Sequence, residues 1–380
     1  MSQLLFNARA LTRQGFRDHQ SVLIRDGLIE AMGDDGDVDG GDAQVRDLDG
    51  QLLLPGFIDL QVNGGGGVLF NDAPTIETIR AIGAAHREFG TTGFLPTLIS
   101  DDLDVVAAAI AATDAAIDAG VPGVLGIHLE GPFLSKSKKG VHDAEKFRVL
   151  DDDAIALLSS LKRGKTLVTL APEMTSPTRI AELTAAGIIV AAGHTNANYD
   201  EVRAALDAGL SGFTHLFNAM SPLNSREPGV VGAALDDDNS WCGLIVDGHH
   251  VHPASLRIAV ASKARGKSVL VTDAMSSVGA ANKAFEFGGR LIEVSGGRCV
   301  TADGTLAGSD LNMAAAVRNA ATMLHLGLGE AVRMASAYPA AALGLEGELG
   351  QIKAGCRANL VLASHELNIV DTWIDGMTAQ

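Results

Sequence analysis

The chain has 380 residues, 47% of them hydrophobic and 20% charged, which is enough apolar material for a large core and excludes a disordered segment. A formal net charge of −17 argues against sequence-independent nucleic-acid binding and against attraction to acidic membranes; an anionic small molecule needs a local basic pocket. Cys242, Cys299 and Cys356 are far apart and form no CxxC pair, so neither a disulfide framework nor a thiolate metal site is expected.

The opening residues Met1 to Arg9 lack a basic segment followed by a long apolar core. No apolar run approaches the ~18 residues of a membrane helix. A soluble, cytoplasmic protein is the expectation. Short β-like pieces, Ser21 to Ile24 and Leu28 to Ala31, flank the turn-forming Arg25-Asp26-Gly27, and the acidic, glycine-rich stretch from Gly33 to Gly41 reads as a surface turn. The C-terminal tail has the same character, with Gly347 to Gly350 turning into Gln351-Ile352, then Ala358 to Leu362 and Val370 to Ile374. Residues 1–54 and 346–380 are therefore expected to pair into one small β-sandwich domain, with a catalytic domain of residues 55–345 inserted between them.

From Pro55 onward, apolar runs near 56–61, 94–99, 123–129, 166–170, 188–193, 212–215, 241–247 and 268–272 alternate with alanine-rich stretches. Two of these stretches, Ile76 to Phe89 and Leu103 to Ala119, carry the i, i+3, i+4 spacing of a helix packed on a sheet. Asn198 stands three residues before Glu201, a capping signal for another helix. Strand and helix repeated eight times predict an α/β protein, a (β/α)8 TIM-like barrel, with an open sheet as the alternative. Gly64 to Gly67 follow the first strand without GxGxxG or GK[ST] spacing and read as a tight turn rather than a phosphate loop.

Several of these runs end on groups that hold metals. Ile127-His128-Leu129-Glu130, Ala192-Gly193-His194 and Phe213-Thr214-His215 each place a ligand where a buried strand stops, and parallel α/β proteins build sites at the carboxyl ends of strands. Taken singly, each histidine reads as a hydrogen-bonded structural group and the glutamate as an ion-pair partner. Together, Glu130, His194 and His215 make a carboxylate and two imidazoles with a position left for water, which lowers the pKa of water towards ~7. Asp273, at the end of the last strand, is placed to act as base and then acid, and its other reading is a helix N-cap. His128 shares the strand face of Glu130 and divides evenly between a supporting role and core packing.

Pro55-Gly56-Phe57-Ile58-Asp59 resembles the amidohydrolase superfamily, except that Gln61-Val62-Asn63 stands where that superfamily commonly has a His-x-His pair. With His128-Leu129-Glu130-Gly131-Pro132, Gly193-His194-Thr195, Thr214 to Met220, Asp247-Gly248-His249-His250 and Leu306-Ala307-Gly308-Ser309, the chain resembles the N-acetylglucosamine-6-phosphate deacetylases nearly end to end. The resemblance implies hydrolysis of an acetamido group on a 6-phosphorylated amino sugar. It makes Glu130, His194 and His215 the metal ligands and Asp273 the acid/base, with His250 beside it. Val141, His142, Asn218, Ala219, Arg226, Asp247, Gly248, His249, His250, Leu306, Ala307 and Gly308 become the substrate contacts. His142 and Arg226 are the expected donors to the phosphate. Gln61 and Asn63 mark where other members hold a second metal, so one divalent ion per chain is implied, zinc first, with Fe2+, Co2+ and Mn2+ also suited. A homodimer is implied as well, with Arg226 reaching its own or a neighbour's site. A dihydroorotase-like or dipeptidase-like enzyme is the rival within the superfamily, and a non-catalytic binding protein is the rival outside it.

Overall fold

A computed structural model describes residues 2–379. Its centre is one parallel sheet of eight strands in chain order: β1 (Phe57–Val62), β2 (Thr91–Ile99), β3 (Gly126–Glu130), β4 (Lys165–Leu170), β5 (Ile189–Ala192), β6 (Gly212–Phe213), β7 (Trp241–Leu244) and β8 (Ser268–Leu270). Just past β8, the Asp273 backbone N–H donates to the Gln61 carbonyl at 3.0 Å and Ala274 bridges Val62 in parallel, so the sheet closes on itself. The expected barrel is present, and all eight apolar runs are strands within it. Nearly every strand residue is buried, as expected where barrel interior and helices cover both faces.

Helices α1 (Ile76–Arg87), α2 (Leu103–Asp118), α3 (Asp152–Leu158), α4 (Pro177–Ala185), α5 (Tyr199–Asp207), α6 (Gly229–Asp236), α7 (Pro253–Ser262) and α8 (Met313–Met323) follow the strands one by one. The first two occupy the stretches predicted from spacing. In α5 the Asn198 side chain accepts from the Glu201 backbone while Glu201 reaches back to the Asn198 N–H, a capping box that fixes where the chain leaves β5.

Both chain ends enter one further sheet of eight strands: Ser2–Thr12, Gly15–Arg25, Leu28–Asp34, Gln44–Asp47, Leu52–Pro55, Leu360–Ala363, Ile369–Ile374 and Met377–Thr378. It forks at its first strand, where residues 3–6 pair with Gln44–Asp47 and residues 9–10 with Leu52–Pro55. Leu5, Val22, Ile24, Leu53, Leu360 and Trp373 fill a core separate from that of the barrel. Asp26 and Gly27, both at positive φ, make the turn the sequence marked, whereas Gln351-Ile352 is not a strand.

One element was not anticipated. Between β8 and α8 the chain forms a four-stranded antiparallel flap, Phe285–Phe287, Arg290–Ser295, Arg298–Val300 and Leu306–Ser309. Gly288-Gly289 and Gly296-Gly297 turn its first two hairpins with φ between 58° and 80°, the left-handed backbone that two-residue hairpin loops demand. Ile292, Cys299 and Ala307 form its small core, and Val141 from the loop after β3 packs against them. The three cysteines are free and buried, and no helix among the described residues is long and apolar enough to cross a membrane.

Candidate active site

Glu130 is the last residue of β3; His194 and His215 each lie two residues past the ends of β5 and β6. All three are buried at the carboxyl-end mouth. His194 Nε2 stands 3.1 Å and His215 Nε2 2.9 Å from the same Glu130 oxygen, and the two nitrogens are 3.1 Å apart. One ligand atom from each residue fits within 4.8 Å of the others.

Local backbone explains the convergence. His194, His215 and Asp273 have φ of 48°, 34° and 52°, a left-handed kink that L side chains seldom adopt and that turns each one inward as its strand ends. The His194 ring is oriented from outside the cluster, because its Nδ1 lies 2.8 Å from the Lys138 carbonyl. A carbonyl only accepts, so Nδ1 carries a hydrogen, and Nε2 is the ring atom turned to Glu130 and His215. A carboxylate oxygen and two imidazole nitrogens directed at one point are the donor set of a divalent cation, so the residues fit the metal that the fold implies.

Asp273 faces this cluster across Gln61. The Gln61 side-chain nitrogen donates to Glu130 at 3.0 Å and to Asp273 at 3.1 Å, and the Asn63 nitrogen donates to the same Asp273 oxygen at 2.7 Å. Two carboxylates can only accept, so both amides must point their nitrogens inward; their oxygens are left without partners. A neutral amide thus bridges the two carboxyl groups.

Electrostatics separates the two carboxyls. Burial raises Glu130, but hydrogen bonds and charge from His194 and His215 outweigh it and hold the group well below the usual range. Burial lifts Asp273 to about 6, reinforced by the charge of Glu130 and opposed by His215, His250 and the Asn63 hydrogen bond. One stays ionised while the other is poised to exchange a proton near neutrality. Deeper in the barrel, burial raises Asp59 to about 7 despite its hydrogen bonds with Thr272 and the Gln61 backbone.

A cavity of about 360 Å³ opens above these groups. Of the predicted substrate contacts, Val141, His142, Asn218, Ala219, His250, Leu306 and Gly308 line it, together with Asn63. His142 is buried against the His194 ring at 4.3 Å between centroids and bonded to Ser100. Burial drives its pKa well below the usual range, so it presents a neutral ring rather than a cation. Ala307 turns away into the flap core. Asp247 does not line the cavity; its carboxylate takes the His249 and His250 backbone N–H groups and lies 2.6 Å from His250 Nδ1, so it holds the ring that does. Gly248 and His249 are exposed and stand outside the cavity. Arg226 is exposed in the loop after β6 and forms no hydrogen bond or ion pair with any described residue. Sequence reasoning missed Ile99, Gly140, Met275, Gly304 and Thr305 in the lining; the last two belong to the flap, whose paired glycines were its readable signal.

Residues 52–379 match the model of the amidohydrolase family. The chain is 44% identical to the N-acetylgalactosamine-6-phosphate deacetylase of Shewanella sp. strain ANA-3, over 97% of this chain and 94% of that one. It is 36% identical to the N-acetylglucosamine-6-phosphate deacetylase of Haemophilus influenzae, over 99% of each. The crystal structure of N-acetylglucosamine-6-phosphate deacetylase from Pasteurella multocida superposes with a TM-score of 0.96 at 36% identity, covering 100% of both chains. The chain belongs to the amidohydrolase family, on the branch of the amino-sugar-phosphate deacetylases.

Proposed function

We propose that the protein hydrolyses the acetamido group of N-acetylglucosamine-6-phosphate to glucosamine-6-phosphate and acetate, in amino-sugar catabolism and cell-wall sugar recycling. The observation that carries this reading is the meeting of Glu130, His194 and His215 on one point, with Asp273 held opposite by Gln61 and Asn63. Glu130, His194 and His215 hold one divalent cation, zinc by preference, which when bound acidifies water and polarises the acyl carbonyl.

Asp273 takes the proton of the attacking water and delivers it to the departing nitrogen, a double duty suited to a carboxyl lifted to about 6. Its two amide partners, Gln61 and Asn63, keep it aimed during both transfers. His250 presents Nε2 to the substrate because Asp247 fixes Nδ1; it donates when the ring is protonated and accepts when it is not. Asn218 and Ala219, which line the cavity, contact the sugar phosphate from a turn in which Phe217 and Ala219 have φ of 80° and 50°.

Arg226 lies outside its own cavity, which fits a homodimer in which each subunit lends this guanidinium to the phosphate of the other. The division into residues 1–54 with 346–380 and residues 55–345, and a cytoplasmic location, complete the proposal. N-acetylgalactosamine-6-phosphate is a second substrate reading, favoured by the 44% identity with an enzyme named for it.

Acetate release from the two phosphorylated sugars and their unphosphorylated counterparts, measured with metal-reconstituted protein, tests both readings. Preference for an unphosphorylated sugar contradicts the proposal, and faster turnover of the galacto compound selects the second reading.

A further inference from the structure

Barrel interiors are ordinarily filled by branched apolar side chains. Here Thr97, His128, Thr169 and Thr214, none more than 3% exposed, meet inside the barrel one layer deeper than Glu130. His128 Nε2 lies 2.7 Å from Thr169 Oγ1, and Thr169 Oγ1 lies 2.6 Å from Thr214 Oγ1. His128 Nδ1 stands 3.4 Å from Thr97 Oγ1.

Hydrogen directions follow from chemistry. The Thr97 hydroxyl donates to the Leu95 carbonyl at 3.2 Å, so toward His128 it accepts. The ring hydrogen is therefore on Nδ1. Nε2 accepts from Thr169, and Thr169 accepts from Thr214. The chain of bonds runs in one direction, from the end of β6 through β4 and β3 to β2, with every hydroxyl hydrogen used.

Two of the strands it ties carry a proposed ligand at the mouth. His128 stands two residues before Glu130 on the same face, and Thr214 precedes His215. His194 is seated on the same pair of threonines: a Cβ on Gly193 would lie 2.6 Å from Thr169 Cγ2 and 3.1 Å from Thr214 Cβ. A one-residue slip at any of these strands would break the chain of bonds and misplace a ligand together.

We infer that His128 is a positioning residue that, through Thr169 and Thr214, fixes how Glu130, His194 and His215 meet and so sets the affinity and geometry with which they hold a divalent cation. This rests on the proposed assignment of those three residues as ligands. Cobalt(II) is the probe. Visible absorption and chelator competition report ligand geometry and affinity without relying on turnover.

Replacing Thr169→Val removes one link without changing side-chain size, Thr169→Ser restores the hydroxyl, and His128→Phe removes the hub. Thr169→Val and His128→Phe are expected to weaken cobalt binding by at least about tenfold, as loss of an outer hydrogen-bond partner does, and to shift the visible bands. Thr169→Ser should bind as wild type. With cobalt saturating, kcat should fall while KM stays nearly constant. Unchanged affinity and bands in Thr169→Val, whatever happens to its melting temperature, would overturn this inference alone, and Thr169→Val decides the matter even if His128→Phe does not fold. Wild-type cobalt spectra in a His194→Ala variant would instead overturn the ligand assignment and this inference with it.

Discussion

The mouth of the barrel and the small β domain at the chain ends are folded from the same composition by opposite rules. In the β domain, buried side chains such as Leu5, Ile24, Leu53, Leu360 and Trp373 are apolar, and Asp26 and Asp375, at positive φ, stand in two-residue turns. At the mouth, Glu130, His194, His215 and Asp273 are polar and buried, and three of them are held in left-handed backbone immediately beyond a strand. The first arrangement minimises free energy locally. The second accepts local strain and desolvation, which the surrounding barrel holds in place. Substitutions should therefore divide cleanly, with function changing at the mouth and stability in the β domain.

The sharpest break in that division is Asp273→Asn. Loss of the proton-transferring carboxylate should reduce kcat by about 10²–10⁴-fold while bound metal and melting temperature are retained. Near-normal turnover, or a large loss of stability, removes Asp273 from the catalytic role. Trp373→Ala is the counterpart in the β domain. Emptying the space of a fully buried indole, whose Nε1 also donates to Gln3 at 3.1 Å, should cost about 3–5 kcal/mol in chemical denaturation. KM and kcat of the protein that remains folded should be unchanged.

Gly193→Ala probes the boundary between the two behaviours, because its Cβ would fall 2.6 Å from Thr169 Cγ2 and disturb both packing and the seat of His194. A loss of about 1–3 kcal/mol is expected from the overpacking, with weaker metal retention alongside it. A variant that loses stability and keeps its metal affinity would separate the seat of His194 from the packing around it.

The smallest effect concerns pH. Asp273 is lifted from 3.8 to about 6, so the folded protein binds this proton more tightly than the unfolded chain does. Its contribution to stability is thus fully present below about pH 4 and is lost as pH rises through about 6. Activity runs the other way, because the base must be ionised. The acid limb of kcat should lie at or below about pH 6, since a bound dication pulls the carboxyl down further. Gln61→Leu, which removes a hydrogen bond to the ionised form, should move that limb to higher pH; an unmoved limb would mean that the amide does not tune Asp273.

The barrel and the polar residues at its strand ends were legible because both depend on short-range pattern. Apolar runs with a ligand at their ends mark parallel strands, and the Asn198 and Glu201 pair marks a helix start. The flap was missed because Gly288-Gly289 and Gly296-Gly297 lie in a stretch where strand, helix and loop signals overlap, although such pairs are strong hairpin signals. Asp247 was expected at the substrate from the family resemblance, and its 2.6 Å contact with His250 Nδ1 was not legible from sequence adjacency. The hydrogen-bonded layer around His128 was unreadable for a different reason: threonines 97, 169 and 214 are far apart in sequence and suit strands whatever they bond to. Register across the barrel brings them together.

The most direct test is the metal content of the purified, reconstituted protein beside Glu130→Gln, His194→Ala and His215→Ala, measured by elemental analysis after removal of loosely bound ions. One ion per wild-type chain, lost in all three variants while they remain folded, is the expected result. Two ions per wild-type chain, or a full complement retained when any of the three is replaced, would contradict a single cation held by this carboxylate and these two imidazoles.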